Sequence, residues 1–144
     1  MQALRKLLHL SSREVWVLLQ AAAALTAVRL ALNFITVAWL QKLGATAVHD
    51  PLPPRLPPDA TARMVRIAAR HGLYRAKCLE QSLVLRWLLQ RQGIDARIFF
   101  GARKEDEEMQ VHAWVEVDGV SLDEEDHAHQ RFSPFEEPVG SDIN

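Results

Sequence analysis

The chain has 144 residues, of which 49% are hydrophobic, and its formal net charge at pH 7 is -1. This length fits one domain, or one domain with an appendage, and the apolar content is enough for one modest core. A charge so close to zero gives no global basic field, so the composition argues against nucleic-acid binding. The single cysteine excludes an internal disulfide and a thiolate-rich zinc site. We therefore expect a cytoplasmic protein that holds no metal and no cofactor.

The chain before residue 49 is predicted to be helical and apolar. Ser11 and Glu14 have the spacing of a capping box, which predicts a helix through the Ala-rich run that follows. A second helix is predicted over 30–43. The apolar run from Val15 ends at Arg29, short of the roughly 20 residues that a bilayer span requires. We expect this segment to be soluble or interfacial, with its apolar surface packed on the domain, on a partner or on a membrane surface.

Five prolines between residues 49 and 58 predict an extended linker. The predicted organisation is therefore an N-terminal helical segment (1–48), the linker (49–58) and a C-terminal domain (59–144).

The C-terminal domain is predicted to begin with two helices. Asp59 is the expected N-cap of the first, which runs to about residue 70 and stops at Gly72. The second is expected from Cys78 to Gln92, with Gly93 ending it.

Strands are predicted after the helices, at 96–101, 110–117 and 120–122. In the second strand, alternation places His112, Trp114 and Glu116 on one face. Asp118 and Gly119 predict a two-residue hairpin turn before the third strand. The chain after residue 126 is expected to be irregular, and the predicted fold class is α+β.

Three residues have the order and setting of a catalytic triad. A cysteine at a helix start, as predicted for Cys78, has its thiolate stabilised by the helix dipole and by unpaired backbone amides. The same amides can stabilise an oxyanion. His112 is placed in the middle of a strand, where it can act as the base, and the hairpin brings Asp123 into its neighbourhood as the acid that orients the imidazole. The adjacent carboxylates at 124–126 leave the identity of the acid open.

Two sequence blocks carry a resemblance to a known family. The block KCLEQSLVLRWLL begins at residue 77, and HAWVEVDG begins at residue 112. Together they resemble the B proteins of lasso-peptide biosynthesis, which are transglutaminase-like leader peptidases similar to papain-type enzymes. The resemblance extends over about residues 60–135, and the apolar N-terminal segment is also similar. It implies a papain or transglutaminase type of domain with Cys78 as nucleophile, His112 as base and Asp123 as the best-matching acid.

The resemblance implies removal of the leader from a ribosomally made precursor peptide, before an ATP-dependent macrolactam cyclase closes the ring. No run of strands before the linker resembles the recognition domain that some members carry, so a separate leader-recognition protein is expected as a partner. Two alternatives stay open. One is an amidase or acyl-transferase with the same triad, and the other is a non-catalytic adaptor that docks partners through its N-terminal helices.

Overall fold

The computed structural model describes residues 10–32, 56–105, 108–122 and 132–134. Within these residues the helices are α1 (Ser12–Leu32), α2 (Pro58–His71) and α3 (Cys78–Arg91). The strands are β1 (Ala96–Glu105), β2 (Glu108–Val117), β3 (Val120–Ser121) and β4 (Ser133–Pro134). They form one antiparallel sheet in the order β3-β2-β1-β4. The helices precede the strands, which confirms the predicted α+β fold class.

Helix α1 begins at the predicted capping box. The backbone N–H of Ser11 donates to Glu14 Oε2 at 2.9 Å, and the N–H of Glu14 donates to Ser11 Oγ at 3.3 Å. The helix continues beyond Arg29 to Leu32, so it is longer than the apolar run alone suggested.

One face of α1 is part of the core of the protein. Val17, Ala21 and Leu25 are buried in the same cluster as side chains of α2 and α3. By length and composition α1 is also apolar enough to cross a bilayer, a test that core helices of soluble proteins pass as well. In this structure, the buried face of α1 packs against α2 and α3 within one apolar cluster.

The start of α2 corrects one expectation. Asp59 was predicted to be the N-cap of a helix starting at residue 60, but the helix begins two residues earlier, at Pro58, with Pro57 in the N-cap position and Asp59 in the first turn. Proline suits the first helical position because its missing N–H would have no helical acceptor there and its φ is already helical. Gly72 follows the helix as predicted and donates its N–H to the Ala68 oxygen.

Helix α3 has the predicted start and ends one residue before the predicted end. It begins at Cys78, after Lys77 in the N-cap position, and ends at Arg91; Gln92 is the C-cap, and Gly93 comes next with a φ of 77°. Its buried apolar residues pack against α2 and the sheet; they are Leu83, Val84, Leu85, Leu88 and Leu89.

The β2–β3 hairpin has the predicted turn and register. Asp118 and Gly119 both have positive φ, 51° and 76°, as a type I′ turn requires. Val117 pairs with Val120, and the Leu122 N–H donates to the Val115 oxygen at 2.9 Å.

Trp114 of β2 is buried, as expected, and its ring stacks on Phe99 of β1. One feature of the sheet was not predicted. Strand β4 pairs with Gly101 and Ala102 of β1, in a part of the chain that was expected to be irregular. The second helix was expected over 30–43, but residues 30–32 continue α1. The rest of that expected helix and the linker up to residue 55 lie outside the described residues.

Candidate active site

The candidate nucleophile lies where its helix begins. Cys78 is the first residue of α3 and is partly buried. The Leu79 backbone N–H donates to the sulfur, as expected for a side chain at a helix N-terminus. The Glu80 carboxylate accepts the Lys77 backbone N–H at 2.8 Å and so closes the first turn. Of the backbone amides at this helix start, the Leu79 N–H therefore holds the sulfur, and the Lys77 N–H is bonded to the Glu80 carboxylate.

Helix α3 is joined to β2 through the backbone carbonyl and the backbone N–H of Ala113. Ser82 Oγ donates to the Ala113 carbonyl oxygen at 3.1 Å, and the Ala113 N–H donates to the Cys78 sulfur. Ser82 is buried, so water competes little for this contact. Because Ala113 follows His112 directly, these two bonds fix the thiol beside the imidazole.

The surroundings of Cys78 favour the thiolate. The hydrogen bond from the His112 side chain lowers the pKa of the Cys78 thiol most strongly. Burial acts in the opposite direction, and the Ala113 N–H, the charge of His112 and the Leu79 N–H add to the lowering. The net pKa lies below that of an ordinary thiol, which is the setting that reactive cysteines require.

Aromatic rings hold the imidazole from both sides. The ring of His112 stacks on Trp114 with a centroid distance of 6.1 Å and on Phe132 with a distance of 5.1 Å. Gly101 of β1 pairs directly with His112, on the same face of the sheet. A Cβ at Gly101 would lie 2.8 Å from the Phe132 Cβ and 3.0 Å from the Trp114 ring, so only glycine leaves room for this stack.

A cavity of about 240 Å³ opens beside the pair. Cys78 and His112 both line it, together with residues of α2 and with Leu122, which follows β3. Arg66 of α2 donates to the Leu122 carbonyl at 3.0 Å and so ties the helix to the end of the hairpin. This volume lies below the ~300–1,000 Å³ of typical small-molecule sites, so the cavity can contact only a few residues of a peptide.

The structure thus brings two of the three predicted site residues together. Cys78 and His112 are in hydrogen-bond contact, and Asp123 lies outside the described residues, although its neighbour Leu122 lines the cavity. In the part of the chain that the structure describes, no group of three His, Cys, Asp or Glu side chains could hold a metal ion.

Sequence reasoning missed three residues that build the site: Ser82, Gly101 and Phe132. Ser82 sits one helical turn after Cys78, at a spacing that places both on one helix face, and this could have pointed to it. Gly101 inside an apolar strand is a known sign of close backbone approach. Nothing in the sequence indicates that Phe132, 20 positions after His112, returns to cover the imidazole.

A family model described as the transglutaminase-like superfamily matches residues 16–137, which is most of the chain. The chain belongs to the transglutaminase-like superfamily. This confirms the broader part of the resemblance carried by the two sequence blocks. The match begins within α1, so most of this helix lies inside the region that aligns with the superfamily. No curated protein and no solved structure matches the chain.

Proposed function

We propose that this transglutaminase-like protein is a cysteine peptidase that removes the leader from a lasso-peptide precursor. The observation that carries the catalytic part is the contact between Cys78 and His112 at the wall of a cavity, with the pKa of the thiol lowered. The superfamily includes cysteine peptidases, and its members typically use a Cys-His-Asp triad. The lasso-peptide assignment is supported by the two sequence blocks around these residues.

The mechanism follows from the chemistry of the pair. The Cys78 thiolate forms a bond to the carbonyl carbon at the leader–core junction, and the displaced electron pair moves onto the carbonyl oxygen. Backbone N–H groups at the start of α3 stabilise this oxyanion. As the C–N bond breaks, protonated His112 gives its proton to the departing amine. His112 then takes a proton from water, whose oxygen attacks the thioester and releases the acid and the thiolate.

Asp123 is proposed as the carboxylate that orients His112. A carboxylate that accepts the second imidazole N–H fixes the tautomer required for both proton transfers. The hairpin register up to Leu122 supports a position near the site for the residue that follows.

The proposed function is tested by incubating the precursor with the protein and following both fragments by mass spectrometry. We expect one cut at the leader–core junction, and no cut with Cys78→Ala. Arg91→Gln is a matched control, because Arg91 stacks on Trp87 at the far end of α3. Intact precursor in every reaction, including those that also contain the leader-recognition protein, would contradict the peptidase proposal. Transfer of the acyl group to an added amine in place of water would favour the acyl-transferase alternative.

The second component of the proposal is a separate leader-recognition protein, with the macrolactam cyclase as a further partner, in the cytoplasm. A cavity beside Cys78 contacts only a few residues, so the affinity for a long precursor through this site alone is low. Tethering the leader through a second protein raises its local concentration and can increase apparent affinity by roughly 10²-fold.

The outward face of α1 is the proposed docking surface. Val15, Trp16, Leu19 and Leu30 are between 40% and 59% exposed, and they lie opposite to the buried side of the helix. Trp16→Glu should weaken complex formation and slow assisted cleavage while the alkylation rate of Cys78 stays unchanged. Val120→Glu, which changes an exposed valine on the β-hairpin, is the control. Equal cleavage rates with and without the recognition protein would contradict this component.

A further inference from the structure

A buried carboxylate lies in the first turn of the nucleophile helix. Glu80 is 4% exposed and stands two residues after Cys78. The short rise of a helix keeps these two side chains within ~10 Å of each other. A carboxylate next to a thiol disfavours the thiolate, because the two negative charges repel each other. Glu80 is therefore useful for closing the turn, through its bond to the Lys77 N–H, but unfavourable for ionising Cys78.

The opposing positive charge comes from α1. Arg29 Nη1 lies 3.4 Å from Glu80 Oε1, although the two residues are 51 positions apart. The guanidinium also lies 4.8 Å above the centre of the Tyr74 ring, and Tyr74 donates its hydroxyl to the Leu25 oxygen at 2.6 Å. The last turns of α1 thus contact the segment that leads into α3 at three points.

The charges of Arg29 and Glu80 both affect the pKa of Tyr74. Burial raises the pKa of the Tyr74 hydroxyl most strongly, the charge of Glu80 raises it further, and the charge of Arg29 lowers it. The two charges therefore act in opposite directions on a group that lies between α1 and the start of α3.

We propose that Arg29 is a positioning residue for the nucleophile: from α1 it neutralises Glu80 and thereby keeps the Cys78 thiol ionisable. The proposal rests on the role of Cys78 as nucleophile. Helix α1 then has a second role besides packing. It supplies the positive charge of Arg29, which offsets the negative charge of Glu80 in the helical turn that also carries Cys78.

Other charged groups also surround Cys78. His112 approaches from β2, Arg66 and Arg70 of α2 line the same cavity, and Lys77 precedes the thiol on its own segment. All of these favour the thiolate when they are positively charged. Glu80 is the acidic residue in the first turn of α3, and Arg29 is its ion-pair partner from α1.

The test is the rate of Cys78 alkylation by iodoacetamide as a function of pH, which needs no peptide substrate and has one possible thiol target in the chain. Arg29→Gln should raise the midpoint by about half a pH unit, which is a ~3-fold slower alkylation at pH values below both midpoints. Arg29→Lys should restore the wild-type midpoint, because it keeps the charge. Glu80→Gln should lower the midpoint, because it removes the repulsive charge and keeps an acceptor for the Lys77 N–H.

The double variant separates charge compensation from a general structural effect. In the Glu80→Gln background, Arg29→Gln should shift the midpoint by less than half as much as in the wild type. Arg91→Gln, which removes another arginine stacked on an aromatic ring, should leave the midpoint unchanged. An equal shift in both backgrounds, or none in either, would overturn the proposal.

Two further results distinguish a failure of this inference from a failure of the proposed function. If Arg29→Gln does not fold, Glu80→Gln alone decides, since an unchanged or raised midpoint contradicts charge opposition at Cys78. If wild-type Cys78 alkylates with the midpoint of an ordinary thiol, the proposed nucleophile fails. If its midpoint is low but insensitive to Arg29, only the present inference fails.

Discussion

Cys78 and His112 touch each other, yet the protein holds them by different means. The thiol is held by polar contacts at a helix start, with two backbone N–H groups and the imidazole. The imidazole is held by shape, between the rings of Trp114 and Phe132 and opposite a glycine. Changes of charge should therefore act on the cysteine side mainly through ionisation. Changes of volume should act on the histidine side mainly through geometry.

Breaking the contact itself should have the largest effect. His112→Ala should reduce cleavage by ~10³-fold or more, because it removes the base and the strongest influence that lowers the pKa of Cys78. The thiolate then forms only at higher pH, so the midpoint of the alkylation profile moves upward. Cys78→Ser should be equally inactive but keep the fold, which a thermal melt would show.

A cleavage rate for His112→Ala within tenfold of wild type would contradict the general-base assignment. An unchanged alkylation midpoint in the same variant would show that the hydrogen bond to the thiol contributes nothing to its ionisation. The two readouts test catalysis and ionisation separately, because alkylation requires no base beyond the thiolate.

Filling the space opposite His112 should have the next largest effect. Gly101→Ala places a Cβ against Phe132 and Trp114, and we expect a loss of ~1–3 kcal/mol in the free energy of unfolding, as for other overpacked sites. Because the displaced rings hold His112, cleavage should fall by more than the stability loss explains. The measurements are a denaturant titration and kcat/KM at a temperature where both variants are folded.

Gly93→Ala provides the matched control for this glycine. Gly93 has a φ of 77°, and a Cβ added to it would have no neighbouring atom within 4 Å, so alanine there strains the backbone but touches nothing at the site. It should lose stability and keep the catalytic rate of the folded protein. Equal loss of rate in both variants would show that the effect is general destabilisation and not displacement of the imidazole.

These contacts also explain what could be predicted from the sequence. Local signals were sufficient for the capping box at Ser11, for the Asp118-Gly119 turn with its register, and for the helix start at Cys78, because each depends on a few adjacent residues. The pairing of β2 with β3 then follows from the turn, whereas His112 lies farther along β2, opposite Gly101 of β1.

Contacts between distant segments could not be predicted. The pairing of Arg29 with Glu80 and the return of Phe132 to the ring of His112 join positions that share no local pattern. Asp59 was misassigned for a different reason. An aspartate is a strong N-cap, but the two prolines before it fix the backbone and start the helix two residues earlier than predicted.

The smallest expected effect concerns the bond that joins the two sides of the site. Ser82→Ala removes the hydroxyl that donates to the Ala113 carbonyl and leaves that buried oxygen without this donor, at a cost of ~1–2 kcal/mol. The N–H of Ala113 donates to the Cys78 sulfur, so a looser peptide group should also weaken that contact. We expect a slight rise in the pKa of the thiol and a few-fold slower alkylation below the midpoint.

Thr61→Val is the control, since Thr61 is a buried hydroxyl that donates to the Pro57 oxygen at the start of α2, away from the thiol. It should cost similar stability and leave the alkylation profile in place, and if both variants shift the profile equally, Ser82 contributes to the fold and not to the placement of Cys78.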